Sequence, residues 1–195
     1  MTPDTRTHAH TDLVVDVGPV AHGGHCVARH EGRVIFVRHG IPGEKVRVRL
    51  TDDGPAAKFW RADVVEVLEP SPDRVPHFWD LADSARSWSH RHPPVGGAEL
   101  GHISLARQRS LKADVLAEQL KRLAGVEVAP AGQITVEAVG AAAGTGSAGE
   151  SAASGLGWRT RAGFAVTPAG KLGMHAHRSD AILPVRDMPL AVEGI

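Results

Sequence analysis

The stretch KVRVRL, residues 45–50, constrains the fold of this chain more than any other segment. Its side chains alternate strictly, with Val46, Val48 and Leu50 on one side and Lys45, Arg47 and Arg49 on the other. A strand, with its side-chain period of two, keeps those sets on opposite faces, so the segment reads as a half-buried strand with a cationic outer face. Its neighbours repeat the theme. Residues 12–17 (DLVVDV) form a Val-rich strand, and residues 27–29 and 34–37 flank His30-Glu31-Gly32-Arg33 as a hairpin. Residues 39–44 and 51–55 are turns, and residues 59–68 (FWRADVVEVL) supply a fifth strand. Pro70, Pro72 and Pro76 end the set. Five short strands with Gly and Pro turns are the pattern of a small OB-like or SH3-like β-barrel. Residues 1–11 ahead of it read as a disordered tail.

The remainder is organised differently. Residues 70–103 show little periodicity and read as an irregular connector. The sequence SLARQRSLKADVLAEQLKRLA then predicts a long helix, with Ser104 as N-cap and Gly125 just past its end. Leu105, Gln108, Leu111, Val115, Leu116, Gln119, Leu120 and Leu123 approximate one stripe, and Glu118 and Arg122 are spaced to pair on the other side. Residues 133–139 read as a strand, and residues 140–157, almost all Ala, Gly and Ser, as a flexible loop. Residues 158–167, 171–177 and 181–185 are expected as strands of one small sheet. The fold class is thus mainly β with one long helix (α+β): a barrel over 12–70, then a helix-plus-antiparallel-sheet domain over 71–195.

Charge and composition exclude several classes. Lys plus Arg and Asp plus Glu each number 22, so the net charge is +0 and nucleic-acid binding has to rest on a local patch. No apolar run approaches the roughly 20 residues of a membrane helix, and the polar start MTPDTRTHAHTD lacks the apolar core of a signal peptide. The expectation is a cytoplasmic protein with no membrane partner. A single cysteine, Cys26, allows neither an internal disulfide nor an all-thiolate metal site.

Each chemical motif has a plain structural alternative. Gly144-Thr145-Gly146-Ser147-Ala148-Gly149 has the letters of a dinucleotide loop, but no helix-forming segment follows, which favours a linker. His8/His10, His90/His92 and His175/His177 could each place two imidazoles on one strand face, yet a metal site needs a third and fourth donor. No metal site is expected. Cys26 has His22, His25 and His30 nearby in sequence, but a lone cysteine in a small barrel is more often a buried apolar residue. The basic-aromatic sets are more informative: Lys58-Phe59-Trp60-Arg61, Trp158-Arg159-Thr160-Arg161 and His175-Ala176-His177-Arg178. Cations neutralise phosphates and exposed rings stack unpaired bases, although a solvated strand face explains the spacing equally well. The RNA-binding candidates are Arg47, Arg49, Lys58, Trp60, Arg61, Arg159, Arg161, His175, His177 and Arg178, with no catalytic residue among them.

Taken in order, these pieces resemble the RNA uracil-C5 methyltransferases, particularly their actinobacterial members, from about residue 13 to the end. Residues 17–68 resemble the family's TRAM domain, an RNA-binding module. The family's cysteine-rich C-G-G-C loop is matched by Val95-Gly96-Gly97-Ala98, followed by His102 and a helix with Gln108 and Lys112. The aromatic-Arg-x-Arg strand is matched by Trp158-Arg159-Thr160-Arg161, and a glycine-led hairpin by residues 172–179. A D-V-x-x-C-P-I type segment is matched by residues 184–190, with Met188 at its cysteine. The resemblance implies an RNA partner, tRNA or rRNA.

Two departures shape the expectation. Many relatives hold an iron–sulfur cluster on four thiolates, whereas Val95, Ala98 and Met188 stand at three of those positions and no cysteine lies near His77, where the first would fall. No iron–sulfur cluster is expected, and the loop would be held by apolar packing of Phe78, Trp79, Val95 and Leu100. The family's S-adenosylmethionine site, nucleophilic cysteine and general base lie in a domain after this central one, and Cys26 matches none of those positions. The resemblance implies an RNA-binding front end that is inactive alone, whether a truncated product, split gene or fragment, with a separately encoded methyltransferase domain as one conceivable partner. The alternatives are a stand-alone RNA-binding adaptor and, far behind, a His-rich metal-binding protein.

Overall fold

The computed structural model describes residues 11–54, 56–128, 134–138 and 155–192. The chain divides into two compact units, Met1–Ser71 and Pro72–Ile195.

The first unit is a five-stranded mixed sheet: β1 (Asp12–Asp16), β2 (Cys26–His30), β3 (Arg33–Arg38), β4 (Lys45–Asp52) and β5 (Trp60–Glu69). Their order is β1-β4-β5-β3-β2, and β1 and β2, at the two ends of that order, also approach one another. All pairings are antiparallel except β3 with β5. The alternation of KVRVRL decides which face is inside: Val46, Val48 and Leu50 are buried with Ile35, Val37 and Val64 in one apolar core. Register shifts between β4 and β5 insert bulges, at which a strand bends and twists more strongly. The hairpin over residues 30–33 closes as expected, with Glu31 and Gly32 both at positive φ.

Between β3 and β4 the chain turns sharply, and Glu44 holds the turn. Its carboxylate accepts the backbone N–H of Ile41 at 2.9 Å and that of Ser71 at 3.1 Å. Its own carbonyl accepts from Val17 at 2.8 Å.

The second unit contains α1 (Ser84–Ser89), α2 (Leu105–Ala124) and a three-stranded sheet of β6 (Ala165–Val166), β7 (Leu172–His175) and β8 (Ile182–Pro184). The expected irregular connector over 70–103 is thus not all irregular. A 3-10 turn, Asp80–Ala82, leads into α1, and the Asp83 side chain caps α1 by accepting from the N–H of Ala85 and Arg86. Six residues are too few to show a stripe, so the capping aspartate was the only signal.

The long helix has its expected ends. The Ser104 hydroxyl accepts from the N–H of Arg107, and Gly125 adopts φ 65°, the left-handed conformation a helix C-terminus favours. Glu118 and Arg122 pair at 3.4 Å. The stripe is corrected: Leu111 and Ala113 are the buried helical residues, while Leu116 and Leu123 lie exposed. Gln108 faces the preceding loop instead, donating to the carbonyls of Leu100 (3.0 Å) and Ile103 (2.9 Å).

Two other strand expectations are corrected. Residues 134–138 form no strand, and of residues 158–167 only Ala165–Val166 is strand. A β-rich composition becomes a ladder only where a partner lies alongside, and Val166 finds Leu172 while Arg159 finds a single bridge to Ala191. The loop expected over 140–157, and the glycine motif of residues 144–149 within it, fall mostly outside the described residues, as does the tail over 1–10.

The core of this unit gathers Trp79, Ala82, Val95, Ala98, Val185 and Leu190, with Met174, Leu183 and Met188 packed against it. Of the four residues expected to hold the 95–98 loop, Trp79 and Val95 are buried, Leu100 is half-buried, and Phe78 is exposed.

Candidate nucleic-acid interface

On the outer face of the first unit, register decides what the cations of β4 can do. Lys45, Arg47 and Arg49 sit between β1 and β5, both of which carry carboxylates on that face. Lys45 lies 3.3 Å from Glu69 and 3.9 Å from Asp16. Arg47 donates to Glu66 at 2.7 Å. Arg49 makes a two-pronged pair with Asp12, both bonds 2.8 Å. These hydrogen bonds raise the pKa of Arg47 beside Glu66 and of Arg49 beside Asp12. The basic face read from KVRVRL is therefore a charge-matched ladder. Such solvent-facing pairs add little stability, but each guanidinium already has an anionic partner.

The start of β5 differs. Lys58 is exposed, whereas Trp60 packs against the apolar core, so it is no open stacking surface. Arg33 lies over the Trp60 indole, its Cζ 4.7 Å from the ring centroid, and donates to the carbonyl of Ala57 at 3.1 Å. Arg61 donates to Asp52 at 2.9 Å and lies 4.7 Å over the ring of Phe59. Arg33 and Phe36 are additions that the sequence reading missed. Phe36 stands inside the apolar run VIFV, and only alternation against buried Ile35 and Val37 betrays that it points outward.

In the second unit the candidate residues divide. Trp158 is 59% exposed and carries Arg159 at 5.1 Å over its ring. Arg159 reaches on to the carbonyl of Gly97 at 3.3 Å. Gly97 has φ 94°, and a Cβ there would meet the Arg159 guanidinium at 3.1 Å, so this corner requires glycine. His177 meets the same corner: its N–H donates to the carbonyl of Pro94 at 2.8 Å, and its Nδ1 lies close to Gly96. His177 lies beyond the end of β7, not on the strand as expected. Arg161, His175 and Arg178 are exposed, Arg178 at φ 53°. Trp158, Arg159 and His177 thus assemble around the Gly96-Gly97 corner.

Cys26 is 1% exposed, and its thiol donates to the Gly40 carbonyl at 3.3 Å. A buried thiol that donates to a backbone carbonyl makes a poor nucleophile. His90 and His92 stack with centroids 6.4 Å apart, but no group of three or more His, Cys, Asp or Glu suited to a metal occurs among the described residues. His8 and His10 lie outside them. Val95, Ala98 and Met188, at positions where the resembled family holds its cluster, share one apolar core around Trp79. That donor set does not fit an iron–sulfur cluster, which requires thiolates. No helix of the described residues is long and apolar enough to cross a membrane.

Comparison with known proteins agrees with this layout. Residues 12–65 match the TRAM domain family. An uncharacterized RNA methyltransferase of Streptomyces coelicolor is 42% identical over 93% of this chain and 37% of its own length. One of Bifidobacterium longum is 38% identical over 88% of this chain and 36% of its own length. A 23S rRNA (uracil(1939)-C(5))-methyltransferase of Shewanella baltica is 31% identical over 64% of this chain and 25% of its own length. The chain spans little more than a third of the length of such relatives. It carries a TRAM domain match on its five-stranded unit, and nearly its whole length is similar to the corresponding portion of RNA methyltransferases.

Proposed function

We propose that this chain is the RNA-holding, N-terminal portion of an RNA uracil-C5 methyltransferase acting on tRNA or rRNA, and that methyl transfer is carried out by residues outside it. In this reading residues 12–70 form a TRAM-type, OB-like barrel and residues 71–195 the central domain. The observation that carries it is co-linear similarity to RNA methyltransferases over 93% of the chain, with the TRAM match at its head. The chemistry points the same way. C5 methylation of uracil needs a thiolate to add at C6, a base to take the C5 proton, and a bound methyl donor. The chain's one thiol is buried and engaged with Gly40, so it offers no such nucleophile. S-adenosylmethionine is expected to bind the methyltransferase domain and not these residues.

Within this reading, RNA contacts fall first to the second-unit side chains Arg159, Arg161, His175, His177 and Arg178, and to Lys58 on the first unit, while Arg61 is already paired with Asp52. Arg47 and Arg49 contribute only by exchanging a carboxylate partner for a phosphate. Affinity for a labelled RNA hairpin with a loop uridine, measured against salt, tests this. Arg159→Ala with Arg161→Ala is expected to weaken binding and flatten the log–log salt slope by about 0.7 per lost contact. Arg47→Ala with Arg49→Ala is expected to leave the slope nearly unchanged. An unchanged slope in the first pair would remove that segment from the interface.

A further inference from the structure

The outer face of the five-stranded unit has two unlike halves. Toward β1 and β4, carboxylates match the cations. Toward β2, β3 and the start of β5, two aromatic rings stand among cations, of which Arg61 is paired with Asp52 while Arg29 and Lys58 are exposed. Alternation sends Ile35 and Val37 into the core and leaves Phe36 on the outer face, partly buried. Register places Phe36 beside Arg61 of β5 and Val27 of β2. Phe59 meets Phe36 edge-to-face, centroids 5.0 Å apart and planes at 89°, with Arg61 4.7 Å over the Phe59 ring. Arg29, two residues from Val27 on the same face of β2, and Lys58, next to Phe59, are both exposed. Core packing does not require two outward phenylalanines at this spot, and removing them from water completely would need an occupant.

We propose that Phe36 and Phe59, backed by Arg61, are a stacking platform for an unpaired nucleobase of RNA, with Arg29 and Lys58 placed for the flanking phosphates. The proposal rests on the RNA-binding reading above and names a site within it. The ring faces supply sequence-tolerant stacking, and the cations supply the salt-dependent part of affinity. A cation over an aromatic ring holds that ring in place and leaves its remaining surface for the base.

The test uses the whole 195-residue chain, a fluorescently labelled oligouridylate, and an abasic ribose-phosphate oligomer of the same length. The wild type is expected to bind the base-bearing oligomer roughly five- to a hundredfold more tightly than the abasic one. Phe36→Leu with Phe59→Leu is expected to erase that difference and leave the salt slope unchanged, while Phe36→Tyr with Phe59→Tyr preserves both. A folded double-leucine variant that still distinguishes the oligomers overturns the platform. A second measurement needs no variant: irradiating a bound 5-iodouridine oligomer should give an adduct at Phe36 or Phe59, and adducts confined to other residues overturn the proposal. Binding of both oligomers with equal affinity defeats the platform alone. Failure to bind either oligomer or the RNA hairpin defeats the RNA-binding reading itself.

Discussion

Glu44→Ala is expected to destabilise the five-stranded unit by about 2–5 kcal/mol. Glu44 is 1% exposed, and its two oxygens serve two separate backbone N–H groups, those of Ile41 and Ser71. Truncation leaves both donors without that acceptor in a poorly solvated place, and each such loss costs roughly 1–3 kcal/mol. It also releases the end of β5 from the β3–β4 turn, since Ser71 follows β5 closely and Ile41 lies inside the turn. For a unit of this size, 1 kcal/mol corresponds to about 4–8 °C in melting temperature, so a fall of 10 °C or more is expected. Glu44→Gln keeps one carbonyl oxygen as an acceptor and should cost less than half as much. Thermal unfolding followed by circular dichroism decides it. A Glu44→Ala melting temperature within a couple of degrees of the wild type would show that other acceptors serve Ile41 and Ser71 equally well.

The role of Glu44 also shows where sequence reading stops. KVRVRL was legible because burial on one face and charge on the other leave the period of a strand in plain view. The helix α2 was legible at both ends because Ser104 and Gly125 are chemically suited to caps. Glu44 looked like an ordinary turn residue because its partners, three and 27 positions away, become neighbours only in the folded sheet. The same holds for the basic face. Asp12 lies 37 residues from Arg49, and Glu66 lies 19 from Arg47, so only the register of β1, β4 and β5 reveals that those cations are matched. Trp60 was misjudged for a related reason: a Lys-Phe-Trp-Arg string does not say which ring faces inward, and the partner of Trp60 across the ladder is buried Ile35. Of the late basic-aromatic set, Trp158 and Arg159 do stack, but around the Gly96-Gly97 corner and not on a sheet face.

Trp79→Ala is expected to be the most damaging single truncation in the second unit, at about 3–5 kcal/mol. Trp79 is 3% exposed and lies in the core that also holds Val95 and Ala98, with Met188 packed against it. Its indole N–H donates to Asp187 at 3.1 Å, next to Met188. One side chain therefore ties the 95–98 loop to the segment around residue 188. A ring that fills this volume cannot be shortened without leaving a cavity, whereas the exposed Asp187 carboxylate turns to water when its indole partner is lost. Phe78→Ala, one residue away, is the internal control: Phe78 is exposed, and its loss should shift the melting temperature by only a few degrees. If packing alone closes the loop, wild-type melting is also indifferent to an iron chelator and to purification without oxygen. A melting temperature that falls with chelator, or stoichiometric iron in the purified chain, would mean that a metal holds this loop and that Trp79 merely accompanies it. Conversely, a Trp79→Ala protein that melts like the wild type would leave the joining of residues 95–98 to residue 188 without its main support.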